Sequence, residues 1–129
     1  ISGYLTLASE MSNNQSFSGE SFNFGPSFFD SKSVYTLVEE LSVYLEDLRI
    51  KKKNHEDELY ESRLLQLNCD KSANLLAWNS TLDFNQTIKF TAEWYRNFYL
   101  GKQNVLEFSI RQIEEYCNIA QKKGLKWAR

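Results

Sequence analysis

His55 heads the densest run of reactive side chains, His55-Glu56-Asp57-Glu58, and Cys69 and Cys117 carry the two thiols of the 129-residue chain. A His-Glu pair opens the helix of zinc proteases, but that chemistry needs a second histidine one helical turn on, and His55 is the single histidine. Cys69 and Cys117 lack the close pairing of a zinc or redox motif. Cys69 with His55 could form a nucleophile and base pair; a cysteine at a strand end is more simply a small buried apolar side chain. Glu56, Asp57 and Glu58 could attract a divalent cation, yet carboxylates adjacent in sequence do not by themselves converge on one ion, and a solvated charged connection is the better reading. Gly3, Gly19, Gly25, Gly101 and Gly124 stand far apart, so no phosphate-cradling loop is present. No catalytic set and no metal site emerges from these residues alone.

The elements that would position side chains are mostly helical. Residues 2–13 place Ile1, Tyr4, Leu5, Ala8 and Met11 on one stripe. Ser21-Phe22-Asn23-Phe24 alternates at period two and stops at Gly25-Pro26, the pattern of a short strand. Ser33 is a good N-cap for a helix whose stripe Val34, Leu37, Val38, Leu41, Tyr44, Leu45 and Leu48 suits core packing. After the charged stretch 49–62, Leu65 and Leu67 alternate as a second strand. Strand, helix and strand in that order predict a small parallel pair with a right-handed crossover. Asp70 is placed to cap a short helix over 71–77. Asp83-Phe84-Asn85-Gln86 has the capping-box form and starts a helix with Phe84, Ile88, Thr91, Tyr95 and Phe98 on one face, Phe90 and Trp94 beside them. Gly101 breaks it. Ser109-Ile110-Arg111-Gln112 repeats the capping-box form, Leu106, Ile110, Ile113, Cys117 and Ala120 line one face of the last helix, and Lys122-Lys123-Gly124 stops it.

Composition sets further bounds. The chain has the length of one domain, or of one piece of a larger protein, and its apolar and charged fractions, 42% and 25%, are those of a globular protein. A net charge of −2 supplies no basic field for nucleic acid or anionic membrane. No apolar run approaches a bilayer span and no leader is seen, so a cytoplasmic location with reduced thiols is expected. The three glycosylation-type triplets at Asn14, Asn79 and Asn85 are then accidental, and the internal His55-Glu56-Asp57-Glu58-Leu59 does not act as a retention tail. A start at Ile1 favours a fragment.

Taken in order, several short motifs resemble the C-terminal third of extended short-chain dehydrogenase/reductases, most closely the CDP-glucose 4,6-dehydratase branch. They are Ile1-Ser2-Gly3-Tyr4-Leu5, Asn23-Phe24-Gly25-Pro26, the helix start at 33–38, Tyr60-Glu61-Ser62, Leu65-Gln66-Leu67, Asn68 to Ser72, Leu76-Ala77-Trp78, Thr91-x-x-Trp94-Tyr95 and Gln112-Ile113-x-x-Tyr116. The departures are specific: the family's His is Tyr60, its Asp is Asn68, its Ser-Lys-Ala is Asp70-Lys71-Ser72, and the glycine of its Leu-Gly-Trp is Ala77.

The resemblance implies an α+β, predominantly helical fold: about five helices with a small two-stranded parallel β pair. This is the C-terminal lobe of an extended enzyme of that superfamily without its Rossmann domain, spanning 1–129. It implies NAD in the complete enzyme, bound by a domain outside this sequence, with no cofactor in this portion. Neither the dinucleotide loop nor the Tyr-x-x-x-Lys pair is found, so this part alone would be inactive. The implied partners are a nucleotide-sugar, with CDP-glucose first, the N-terminal Rossmann domain of the same chain, and a homo-oligomer as an open option; nucleic acid and membrane are not among them. Glu61 matches the glutamate that holds the nucleotide ribose in related dehydratases. Tyr60 would flank that site and Arg63 would reach a phosphate. Lys71, Trp78, Trp94 and Tyr95 fit helix-start, hinge and core roles, and Asn23 and Gly25 a tight strand end. Two other readings remain open: a lobe of another nucleotide-sugar epimerase or reductase, or a free-standing, non-catalytic helical interaction module. An isolated lobe is expected to expose an apolar patch where its partner domain would pack.

Overall fold

The computed structural model describes residues 1–26, 32–45, 49, 67–101 and 103–128. Within them the chain forms five α-helices: α1 (Ser2–Asn13), α2 (Val34–Tyr44), α3 (Asp70–Leu76), α4 (Phe84–Leu100) and α5 (Val105–Lys122). Single 3-10 turns follow α1 at Gln15–Phe17 and α5 at Lys126–Ala128.

Most boundaries have the local causes expected of them. Ser33 caps α2, its hydroxyl accepting from the Thr36 amide at 3.1 Å. Asp83 and Gln86 close a reciprocal capping box at the head of α4. Gly101 takes φ +59 at the end of α4 and Gly124 φ +72 beyond α5, the left-handed conformation that glycine adopts without steric cost.

Three expectations need correction. The parallel β pair is not formed: residues 21–26 carry no strand, and among the described residues no strand occurs. Side chains from the start of α3 satisfy this segment instead of a ladder. Ser72 Oγ donates to the Asn23 carbonyl, and Lys71 Nζ donates to the Ser21 carbonyl at 2.9 Å. Residues 65 and 66 of the second expected strand lie outside the described residues, and Leu67 is irregular. Asp70 does not cap α3 but is its first residue; Asn68 Oδ1 accepts from the Asp70 amide at 2.9 Å, an Asx turn that leads the chain into the helix. Ser109 does not open the last helix either. That helix starts a turn earlier under Asn104, whose Oδ1 accepts from the Leu106 amide at 2.9 Å. Ser109 and Gln112 face α4: Ser109 Oγ accepts from Trp94 Nε1 at 2.9 Å, and Gln112 Nε2 donates to the Phe90 carbonyl at 2.8 Å. Position 94 meets 109 while 90 meets 112, so α4 and α5 form an antiparallel hairpin.

Two bodies of packing result. In the first, α1, the extended segment 21–26, α3 and the C-terminal turn surround Trp78, whose ring meets Phe24 edge-on at 5.0 Å. Phe24 also lies over Gly3, where a Cβ would collide with its ring. Leu76 and Leu125 are buried, and Lys126 ties the C-terminal turn to Glu10 at 2.6 Å. In the second, α4 packs between α2 and α5, with Ile88 and Ala92 buried. The α2 stripe is shallower than a core helix requires. Val38, Leu41, Tyr44 and Leu45 are half-buried, whereas Val34 and Leu37 are exposed. A stripe at helical spacing shows that one face prefers cover, not how much cover the fold supplies.

Candidate functional site

Glu61, Tyr60 and Arg63 lie outside the described residues. What the structure describes is the seam that receives the chain immediately after them, where 67–72 meets the segment 20–26. Asn23 Nδ2 donates to the Asn68 carbonyl at 3.1 Å. Asn68 Nδ2 reaches Asp70 Oδ2 at 3.2 Å, and Cys69 Sγ lies 3.6 Å from the Leu67 carbonyl. Gly25 faces Cys69 with room to spare, since a Cβ there would sit 3.5 Å from Sγ, an ordinary contact. Cys69 is thus a half-buried packing residue of the seam. His55, its notional partner, lies outside the described residues.

Lys71 is the charge centre of the seam. Its ammonium bonds Glu20 Oε2 at 2.7 Å and lies 4.7 Å from the centre of the Phe22 ring. The Lys71 hydrogen bond, then its charge, hold the Glu20 carboxyl below its ordinary value. A folded-state pKa lowered in this way contributes stability above the unfolded value, and that contribution is lost as pH falls through the folded one. Wild type is therefore expected to exceed Glu20→Gln in stability at neutral pH, with the gap closing on acidification through the carboxylate range. Urea melts of both proteins across that range check it; a gap that persists in acid would count against the pair. Both side chains are partly exposed, so the effect is small.

Just beyond α3 the backbone makes an unusual turn. Ala77 has φ +50 and ψ +34, the one non-glycine residue with positive φ among those described. The turn lets the Trp78 amide reach the Ser72 carbonyl at 3.2 Å and drives the Trp78 ring inward. Left-handed backbone costs an L-residue roughly 1–2 kcal/mol, against roughly 0.5–1 kcal/mol of extra chain entropy for glycine. Ala77→Gly is expected to stabilise the fold by about 0.5–1 kcal/mol, read as a higher denaturant midpoint.

Among the described residues no group of three or more His, Cys, Asp or Glu side chains converges to hold a metal ion. Side chains cap the starts of α2, α4 and α5 through Ser33, Asp83 and Asn104, and Asn68 makes the Asx turn before α3. No helix among the described residues is long and apolar enough to cross a membrane.

Within the seam Asn23, Asn68 and Ser72 lock two distant stretches together, and Lys71 pairs with Glu20. Asn68 could have been found in the sequence, because Asn two residues before a helix start signals an Asx turn. Ser72 carried no such signal.

The class so defined, over the described residues, is a predominantly helical protein of five α-helices. Among characterised proteins the chain is similar to CDP-glucose 4,6-dehydratase of Salmonella typhimurium, 26% identical over 118 residues, which cover 92% of this chain and 33% of that protein. The chain therefore spans about a third of the length of the curated relative it matches. The similarity supports a distant relationship to that family. No family model matches the chain, and no solved structure matches it.

Proposed function

We propose that this chain is the substrate-binding lobe of a nucleotide-sugar dehydratase acting on CDP-glucose in the cytoplasm, working with an upstream NAD-binding domain of the same polypeptide. The observation that carries this reading is the similarity along 92% of the chain. The backbone adds independent support. Ala77 stands where the resembled family has glycine, and it holds the left-handed conformation that glycine is used for.

In this reading NAD, bound elsewhere, accepts and returns the hydride, while the lobe binds and orients the sugar nucleotide. Glu61 accepts hydrogen bonds from the ribose hydroxyls, Tyr60 flanks the nucleoside and Arg63 meets the diphosphate. Lys71, already paired with Glu20, contributes through the scaffold. A second reading, a helical interaction module, is favoured by the exposed apolar side chains of α4 and α5.

The test uses the protein encoded by the complete gene, titrated calorimetrically with CDP-, UDP-, GDP- and dTDP-glucose. CDP-glucose is expected to bind tightest; equal, weak binding of all four removes the assignment. Glu61→Ala is expected to weaken binding by about 1.5–3 kcal/mol, the loss of a hydrogen bond to a charged group. An unchanged affinity would remove Glu61 from the site.

A further inference from the structure

The outward side of α5 carries an uncovered seam. Leu106, Ile110, Ile113 and Cys117 follow one another at spacings of four, three and four, the register of a helix that packs along another helix. Leu106, Ile110 and Ile113 are 68%, 46% and 62% exposed. One border of the seam is occupied, because Ser109 holds Trp94 and Tyr116 stacks on Trp127 at 6.0 Å. On its free side it is edged by Glu107 and Glu114, each directly following a seam residue, both exposed and neither in an ion pair among the described residues.

We propose that this seam docks an amphipathic helix of another protein whose apolar stripe is bordered by lysine or arginine. Charge selects the occupant. A second copy of α5 laid antiparallel would bring Glu107 against Glu114 of its mate and Glu114 against Glu107, two like-charge contacts along the one glutamate-edged flank. Laid parallel, the two glutamates would face the positions of Ser109 and Tyr116, which are already engaged and carry no cation. An anionic lipid surface is repelled by the same carboxylates. A basic helix satisfies the apolar seam and both charges at once. The proposal stands apart from the nucleotide-sugar reading, and its test touches no nucleotide.

The test is fluorescence anisotropy of a labelled synthetic helix, matching α5 in length, with leucine at the seam positions and lysine at the borders. A second peptide carries glutamate at the borders. The lysine peptide is expected to bind about tenfold or more tighter than the glutamate peptide, more weakly as salt rises, and to be lost in Ile110→Asp. The double variant Glu107→Lys and Glu114→Lys, on the solvent side where folding is not at stake, is expected to reverse the preference. Equal binding of the two peptides, no binding of either, or an unchanged preference in the double variant overturns the proposal. So does a wild-type dimer in sedimentation that Ile110→Asp disperses, since the seam would then belong to a second copy. In the protein from the complete gene, loss of peptide binding with protected α5 amides would likewise overturn it, by placing a segment of the same chain there.

Discussion

Trp78→Ala is expected to cost about 3–5 kcal/mol, because it empties the centre of the first packing body. The ring is 6% exposed, meets Phe24 edge-on at 5.0 Å, and donates from Nε1 to the buried Ser2 hydroxyl at 3.1 Å. Alanine loses the transfer energy of the indole, leaves a cavity bounded by Phe24, and removes the Ser2 partner. Nothing nearby can fill the gap cheaply. Phe24 is already wedged over Gly3, and Leu76 on the adjoining helix end is fully buried. In a chain of this length the loss corresponds to roughly 10–20 °C in melting temperature. Trp78→Phe separates the contributions: it keeps an aromatic ring and loses the hydrogen bond, for about 1–2 kcal/mol. Denaturant melts of both variants check the ordering. Equal, small losses would mean that Trp78 is not the centre of this body.

The second large effect distinguishes two neighbours of the same type. Leu76→Ala is expected to cost about 2–5 kcal/mol, since Leu76 is 0% exposed. Leu75→Ala should stay within about 0.5 kcal/mol, since Leu75 is 53% exposed and faces outward from α3. The left-handed turn at Ala77 folds the chain back so that the Trp78 amide meets the Ser72 carbonyl, and Leu76 and Trp78 on either side of it are both buried. A comparable loss at both positions would contradict the placement of α3.

What could be read beforehand follows the range of the interactions. The Asp83–Gln86 capping box, the Ser33 cap, and the stops at Gly101 and Gly124 are all made within a few residues, and all are present. The expected β pair failed for the opposite reason. Alternation at Ser21 to Phe24 reports that side chains point to two sides, which an extended segment does as well as a strand. Here one side carries Phe22 and Phe24 into an aromatic row, with 6.4 Å between ring centres. The backbone polar groups are met by Lys71 and Ser72, so the ladder is not needed. The Ser109–Gln112 pattern misled similarly: a hydroxyl three residues before an amide suits a cap or an inter-helix bond equally, and an earlier asparagine had already started the helix.

Of the candidate site, the sequence marked Glu61, Tyr60 and Arg63 through resemblance alone. No periodicity or spacing distinguishes them from other charged and aromatic residues in a polar connection. The seam between 20–26 and 67–72 became visible only in three dimensions, because its bonds join Asn23 to Asn68 and Lys71 to Glu20, residues far apart in the chain.

By itself, then, the sequence determined the helices, the caps at Ser33 and Asp83, the stops at Gly101 and Gly124, the thin catalytic inventory, and a distant kinship with nucleotide-sugar dehydratases. These rest on local backbone chemistry and on ordered motifs, both written within short windows. The tertiary structure alone decided that segment 21–26 is held by side chains, that Ala77 turns left-handed to bury Trp78, and that the α5 seam stays uncovered. Each of those depends on which distant surfaces meet, and burial is settled by that meeting and not by any residue's own preference.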